Sequence, residues 1–433
     1  MANVLLIYPR PEEIKERRFG FSLNLLYVAA ILKQAGHRVI QYLDYSLEPF
    51  DLARLRERVD EADVAIVEFD SFPLKRAINI DHGEYLVQQI RGCSDKIKII
   101  AFGCDLILFP RELKAADYTF TVEPERGILA VFEYLFQGRM KEDIPRGVVA
   151  DLDELPFPER GLLSPFVEHG GSLDHKPHLA RSTLIQTSRG CLNRCSFCQR
   201  RGWSQGFRPH SVDYVIREFR ELQRNHYVNV WITDDNFTFD LKRAGQILET
   251  IYRREITVNM KLALSSWAHI DREFLESAKR ANVSIISFGV ESANPEILEF
   301  YKKKIDLEKF KELVSFAGDI GLFTIGNFII GAPMETEETI HRTFRYALDT
   351  PFDQVNIKKL DYMAGSELYQ TLPLDMRAGK RHIFACKENG LNNFPLQDLK
   401  SRIDQFQETF KRLRGGRFRQ KAGEWGLPYE VAQ

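Results

Sequence analysis

Three cysteines, Cys191, Cys195 and Cys198, fall within the ten-residue run RGCLNRCSFC. The chain has six cysteines in 433 residues, and at that frequency a CxxxCxxC pattern would arise by chance only about 0.001 times. Three thiolates on one short loop can ligate three corners of a [4Fe–4S] cube and leave one iron open to a further ligand. A structural zinc site normally wants a fourth Cys or His. The nearest histidine, His210, follows only twelve residues after Cys198, which is awkward spacing. A zinc knuckle or a redox dithiol is the bland alternative. The other cysteines, Cys93, Cys104 and Cys386, are too scattered for a disulfide framework.

Polar groups then recur downstream, each after a short apolar run. They are Asp234-Asp235-Asn236, Ser265-Ser266, Gly289-Val290-Glu291-Ser292, Asn327 with Gly331, Pro333 and Glu335, and finally Lys358, Lys359, Asp361 and Tyr362. Such carboxylates and amides suit a ligand with an ammonium group, ribose hydroxyls and an adenine edge. Lys358, Asp361 and Tyr362 are the candidates for acid–base work. Helix capping is the bland reading of any single one, and it is the expectation for Asp240, Asp271 and Asn294. Repetition at five consecutive strand ends beside an open cluster favours a site.

The elements that must position these groups read as strands alternating with helices. Strands are expected at 183–187, 229–233, 261–265, 284–289, 323–330 and 354–359. Helices are expected at 212–225, 241–253, 272–281, 307–319 and 337–348. Six strands with intervening helices predict a partial (β/α)6 barrel over residues 181–372, with chemistry at the carboxyl ends of its strands. Residues 1–150 alternate likewise, with strands at 4–8, 38–43, 64–69, 97–102 and 118–122 and helices at 24–35, 52–61, 83–91 and 127–136. That spacing predicts an α/β fold with a doubly wound, Rossmann-like parallel sheet. Its strand ends carry Pro9, Asp70-Ser71-Phe72, Gly103-Cys104-Asp105 and Glu123-Pro124-Glu125. Residues 151–180, with DLDELPFPER and several prolines, read as an extended linker. Residues 373–433 read as a helical C-terminal region.

Composition agrees with a soluble globular enzyme: 44% hydrophobic and 28% charged residues, with a net charge of −1. That balance gives no global pull toward nucleic acid or anionic lipid. No apolar run reaches the length of a membrane span, and the N-terminus lacks the pattern of a signal peptide. A cytoplasmic location is expected. The basic run KRLRGGRFRQK at 411–421 is expected to be a solvated face rather than an RNA contact. Trp203 and Phe207 are expected either to line the substrate mouth or to pack in the core.

The CxxxCxxC run after the first barrel strand, with Phe197 before its last cysteine, resembles the radical SAM superfamily. The segments DDNFT (234–238), GVES (289–292) and FIIGAP (328–333) look like segments of that family. The domain order and the DLDELPFP connector resemble the subgroup with an N-terminal cobalamin-binding domain. The resemblance implies that Cys191, Cys195 and Cys198 hold a [4Fe–4S] cluster whose open iron binds S-adenosylmethionine (SAM). One electron then cleaves the sulfonium to a 5′-deoxyadenosyl radical, which abstracts hydrogen from an unactivated carbon. It further implies Asp235 and Asn236 near the methionine ammonium, Glu291 and Asn327 in the carboxylate–ribose region, Phe197 and Gly331 flanking the adenine, and Ser265 within the same SAM site. An external one-electron donor such as flavodoxin or ferredoxin is implied as well.

Cobalamin would lie against Pro9, Ser71, Gly103, Cys104 and Glu125. The sequence departs from the subgroup there. Residues 9–20 contain no histidine for an axial ligand, Gly103-Cys104 replaces a Gly-Gly pair, and Val122-Glu123-Pro124-Glu125 replaces Gly-Glu-x-Glu. Two expectations follow: a cobalamin module, or a vestigial domain that shapes the substrate site. The leading expectation for the whole chain is cobalamin-dependent C-methylation of a small molecule in specialised metabolism. Its alternatives are a cobalamin-independent radical dehydration, epimerisation, cyclisation or rearrangement, and a non-catalytic cobalamin or iron–sulfur sensor.

Overall fold

The computed structural model describes residues 1–9, 21–45, 49–70, 79–163, 181–202, 205–257, 260–267 and 269–424. The chain divides into two compact units, Met1–Thr183 and Leu184–Gln433.

The first unit is built on β1 (Asn3–Tyr8), β2 (Arg38–Asp44), β3 (Val64–Glu68), β4 (Lys98–Phe102) and β5 (Tyr118–Thr119). They form a parallel sheet in the order β2-β1-β3-β4-β5. Runs such as NVLLIY and KIIAF are apolar at nearly every position, as strands covered on both faces must be. The covers are α1 (Leu23–Gln34), α2 (Leu52–Asp60), α3 (Asn79–Cys93), α4 (Cys104–Leu108) and α5 (Ile128–Gln137). Val4, Leu6 and Tyr8 pack with Leu25, Val28 and Val131 on one face. Leu5 and Ile7 pack with Leu55, Val59 and Ile90 on the other. Winding reverses between the neighbours β1 and β3, so the carboxyl edge there is the topological switch point at which such sheets bind ligands.

The run after residue 150 is not the free extended connector that its prolines suggest. Within the described part, residues 152–154 and 160–163 form short 3-10 turns, and Leu152, Leu155 and Leu163 are buried. Glu159 donates its N–H to Leu26 O at 3.0 Å and its carboxylate pairs with Lys33 at 2.6 Å. Leu163 joins the core cluster of Leu25 and Val28, and together with the two Glu159 contacts it docks the segment onto α1.

The second sheet contains β6 (Ser182–Ile185), β9 (Asn229–Ile232), β10 (Lys261–Trp267), β11 (Val283–Glu291), β12 (Phe323–Ile330) and β13 (Gln354–Lys359). A small antiparallel pair, β7 (Ser188–Arg189) and β8 (Arg208–Pro209), lies between β6 and β9 in sequence. The sheet order is β13-β12-β11-β10-β9-β6, each strand beside its predecessor, which is the order of a partial barrel. Between the strands run α6 (Val212–Arg224), α7 (Leu241–Arg253), α8 (Arg272–Arg280), α9 (Pro295–Phe300), α10 (Leu307–Asp319) and α11 (Glu337–Asp349). The hairpin β14 (Asp361–Met363) and β15 (His382–Phe384) brackets α12 (Glu367–Thr371) and α13 (Leu374–Arg377), and α14 (Leu396–Glu424) closes the described chain.

Alternation within the strands sorts side chains to two faces. On β12, Gly326, Phe328 and Ile330 are buried, while Ile325, Asn327 and Ile329 are only half-buried. Asp240 and Asp271 cap α7 and α8 as expected, accepting from Arg243 N and Phe274 N. Asn294 does not cap. It stands at the N-cap of α9 but makes no capping bond. Its amide instead donates to Thr339 O at 2.9 Å and Thr343 Oγ1 at 3.0 Å, because a fully buried amide there meets those acceptors on α11 first.

Candidate active site

The cysteine loop leaves the barrel's first strand and is pinned from far along the chain. Cys195 is buried, Cys191 and Cys198 are half-buried, and all three are free thiols. The N–H of Cys198 donates to Cys195 O at 3.1 Å. Between them, Ser196 makes three bonds. Its N–H donates to Tyr301 O at 3.2 Å, its hydroxyl donates to Phe300 O at 2.8 Å, and its carbonyl accepts from Leu368 N at 3.0 Å. Phe197 meets the Tyr301 ring edge-on at 5.2 Å. Burial pushes the Cys195 thiol up to about 12 and raises Cys191 as well. Such thiols keep their protons until a metal displaces them. Three free thiols on one anchored loop fit the donor set of a three-cysteine cluster. His210 is no ligand candidate: it is buried and stacked on Tyr214 with centroids 3.9 Å apart.

The end of β9 braces this loop. Asp234 is buried and accepts from Thr187 N, Thr187 Oγ1 and Ser188 Oγ, each at 2.6 Å. Burial nonetheless outweighs these bonds and raises its carboxyl above the usual range. Asp235 accepts from Gly190 N at 3.1 Å and forms an ion pair with Arg200. Asn236 accepts from Thr238 Oγ1 at 3.1 Å, and that hydroxyl lies 2.6 Å from Ser266 Oγ. Arg243 donates to Thr187 O at 2.7 Å and His210 O at 2.8 Å. Sequence spacing singled out Asp235, which the structure holds against Gly190 at the start of the cysteine loop; the bracing by Asp234, Arg200 and Arg243 it did not reveal.

The end of β11 carries an ion pair. Lys303 Nζ lies 2.9 Å from Glu291 Oε1, with side chains 1% and 11% exposed. A Cβ on Gly289 would come within 2.6 Å of Glu291 Oε1 and 2.9 Å of Lys303 Nζ, so the pair lies across Gly289. Both charges act on the Cys195 thiol, Lys303 the more strongly. On the half-buried face of the barrel an amide ladder crosses three strands. Gln354 donates to Asn356 at 3.0 Å, Asn356 to Asn327 at 3.1 Å, and Asn327 to Ser287 Oγ at 2.8 Å and Phe288 O at 2.9 Å. Ser265, also half-buried, is in register with Ser287. Asn327 thus stands three residues inside β12 rather than at its end, in register with Gly289 and Asn356.

The end of β12 is a tight turn. Gly331 has φ of +104°, which favours glycine, and a Cβ there would touch Leu399 and Leu360. Glu335 Oε2 accepts from Gly331 N and from Ala332 N at 2.9 Å. Burial raises its carboxyl to about 7. Its Oε1 and the Tyr301 hydroxyl are buried without a partner among the described residues. Near the end of β13, Lys358 is exposed; beyond the strand, burial raises the hydroxyl of the buried Tyr362 to about 12, and Asp361 lies 3.3 Å from His382 Nδ1. His382 joins this set only through the β14–β15 pairing, which no local pattern announces. Phe207 packs on Phe239 at 4.7 Å, and Trp203 lies outside the described residues.

In the first unit, Pro9, Gly103, Cys104 and Glu125 are all buried, and Ser71 lies outside the described residues. Gly103 has φ of +139°, and a Cβ there would come within 2.3 Å of Phe69 O. Its smallness therefore answers to the backbone of Phe69, just past β3. Cys104 Sγ lies 3.1 Å from Asp70 Oδ1. Asp44, Glu68 and Asp105 are buried at the same strand ends. This acidic edge would repel phosphate-led ligands and can accept hydrogen bonds from amide donors.

Residues 185–347 match the radical SAM superfamily. An uncharacterised methyltransferase of Pyrococcus horikoshii is 27% identical over 384 residues, covering 82% of this chain and 80% of that protein. Cytidylyl-2-hydroxyethylphosphonate methyltransferase of Streptomyces wedmorensis is 25% identical over 438 residues, with 84% and 80% covered. The structure of TsrM, a radical SAM methyltransferase from Kitasatospora setae solved with cobalamin and a [4Fe–4S] cluster, superposes with a TM-score of 0.69 at 18% identity, covering 84% of this chain and 76% of that one. The superposition confirms the α/β fold with its partial barrel. The family match falls on that barrel and its cysteine loop: residues 185–347 carry a radical SAM domain, and such a domain implies an enzyme that uses a [4Fe–4S] cluster and S-adenosylmethionine.

Proposed function

We propose that the enzyme is a cobalamin-dependent C-methyltransferase acting on a small molecule. The observation that carries the radical half is the anchored loop of three free thiols, Cys191, Cys195 and Cys198. In this reading those cysteines hold the cluster, which supplies the electron that cleaves SAM. Asp235 and Asn236 receive the methionine ammonium. Glu291, Asn327 and Ser265 serve the carboxylate and ribose, and Phe197 and Gly331 border the adenine. Lys358, Asp361 and Tyr362 are the acid–base candidates, with His382 beside Asp361. Residues 181–372 would be the catalytic barrel and residues 373–433 an appended C-terminal region. A one-electron protein such as flavodoxin or ferredoxin would reduce the cluster.

Cobalamin is assigned to residues 1–150. The support is the β2-β1-β3-β4-β5 order with its switch point, the amide-accepting acidic edge, and the likeness to methyltransferases over most of the chain. Pro9, Cys104 and Glu125 stand at that edge. One observation favours a second reading, radical chemistry without cobalamin. Asp70, Cys104 and Asp105 place ligating atoms within 4.8 Å of one another, all buried, so these strand-end groups already face one another rather than an open surface.

Anaerobic reconstitution with iron, sulfide and hydroxocobalamin tests both. Wild type is expected to retain visible corrin absorbance after gel filtration and to release 5′-deoxyadenosine or S-adenosylhomocysteine from SAM under reduction. Cys195→Ala is expected to lose the brown chromophore and SAM cleavage. Protein that cleaves SAM but retains no corrin would leave the second reading standing. Zinc in place of iron, with turnover surviving the substitution, would end both.

A further inference from the structure

We propose that Lys303, held by Glu291, sets the electrical environment of the iron–sulfur site and makes its one-electron reduction easier. The proposal rests on reading Cys191, Cys195 and Cys198 as the cluster ligands.

Lys303 belongs to the segment that already holds the cysteine loop. Ser196, between two of the three cysteines, bonds to Phe300 O and Tyr301 O, and Lys303 lies two residues beyond Tyr301. Its N–H returns to Leu298 O at 2.8 Å, closing the turn that ends α9. The ammonium is thereby directed onto Glu291 Oε1 at 2.9 Å and over Gly289. Gly289 leaves room that any side chain would fill. The lysine side chain is 1% exposed, so water screens its charge far less than on a surface. The buried ion pair thus stands on the segment whose Phe300 and Tyr301 carbonyls hold Ser196, the residue next to Cys195.

Net charge close to an iron–sulfur cluster is one of the determinants of its reduction potential. Reduction adds one electron, taken from an external one-electron donor, and the cluster core passes from 2+ to 1+ with no bond made or broken. A fixed cation beside a ligand thiolate favours the more negative state. A fixed anion disfavours it. Lys303 and Glu291 are therefore opposed controls, and Lys303 is a positioning residue rather than a catalytic one.

The opposition supplies the test. Cluster midpoint potentials would be measured by dithionite titration followed by electron paramagnetic resonance, without SAM, in reconstituted wild type, Lys303→Met, Lys303→Arg and Glu291→Gln. Lys303→Met is expected to shift the potential negative and Glu291→Gln to shift it positive, while Lys303→Arg stays near wild type. A merely structural pair would not give shifts of opposite sign. Unchanged potentials in cluster-loaded Lys303→Met and Glu291→Gln would overturn the proposal. So would shifts of the same sign, or loss of the cluster in all three variants. If wild type itself takes up no iron and sulfide, it is the cluster reading that fails, which the iron analysis of wild type reports separately.

Discussion

Asp234 accepts both the backbone N–H and the hydroxyl of Thr187, each at 2.6 Å. One carboxylate thus ties the end of β9 to the strand that feeds the cysteine loop. Its third donor, Ser188 Oγ, lies three residues before Cys191. Asp234→Ala leaves three donors unpaired in a buried place. An unsatisfied buried donor costs about 1–3 kcal/mol, and partial relaxation should hold the total near 3 kcal/mol. The expected outcome is a lower melting temperature and fewer irons bound per chain than Cys-intact wild type. Wild-type melting and full cluster loading in this variant would refute the bracing role.

Asn236 is expected to matter for SAM rather than for folding. Its Oδ1 accepts from Thr238 Oγ1, but that hydroxyl also has Ser266 Oγ within reach. Removing the amide leaves a polar group of the ligand unpaired, at about 1–3 kcal/mol. Asn236→Ala should weaken SAM binding roughly tenfold or more with little change in melting. Equilibrium dialysis with reconstituted protein measures it, and an unaltered dissociation constant would remove Asn236 from the site.

Glu335 gives a pH dependence of stability. Burial raises its carboxyl from 4.5 to about 7, against the two backbone donors that lower it. A raised folded value means that the native chain holds its proton more tightly than the unfolded chain. The contribution is therefore fully present below about 4.5 and is lost as pH rises through about 7, amounting to about 3 kcal/mol. Glu335→Gln should flatten the melting temperature between those limits. Parallel pH profiles for wild type and variant would contradict this.

Gly103→Ala is expected to destabilise the chain whether or not a corrin is present. The new Cβ would sit 2.3 Å from Phe69 O, at a φ of +139°. Something in β3 or α4 must move, and the expected loss is about 3 kcal/mol or more. Melting followed without added cobalamin checks it. A larger substitution at Gly103 is for the same reason unsuited to probing corrin binding.

The long elements were legible because each carries its own signal. The apolar strand runs, the capping aspartates 240 and 271 and the cysteine spacing all lie within a few neighbouring residues. What escaped depends on partners far along the chain. Lys303 stands in a run of three lysines that carries no pattern of its own, and its partner Glu291 lies twelve residues back. Ser196 looks like filler until Phe300 and Tyr301 arrive beside it. His382 reaches Asp361 through a hairpin of three-residue strands, too short for periodicity to show. The DLDELPFPER run misleads differently: its prolines suggest a free connector, yet the fold buries its leucines 152 and 155.

Glu291 has φ of +71°, at a register shift between Gly289 and Glu291 where β11 meets β12. A residue with a Cβ is held there in a conformation that glycine or asparagine adopts with less strain. In a Lys303→Met background, where no buried ammonium needs the carboxylate, a library selected only for heat resistance should therefore drift toward Gly or Asn at position 291, whereas one selected for turnover should keep glutamate. The backbone's preference at this position runs against that of the chemistry, and divergence between the two selections would show where the fold gives way to the reaction.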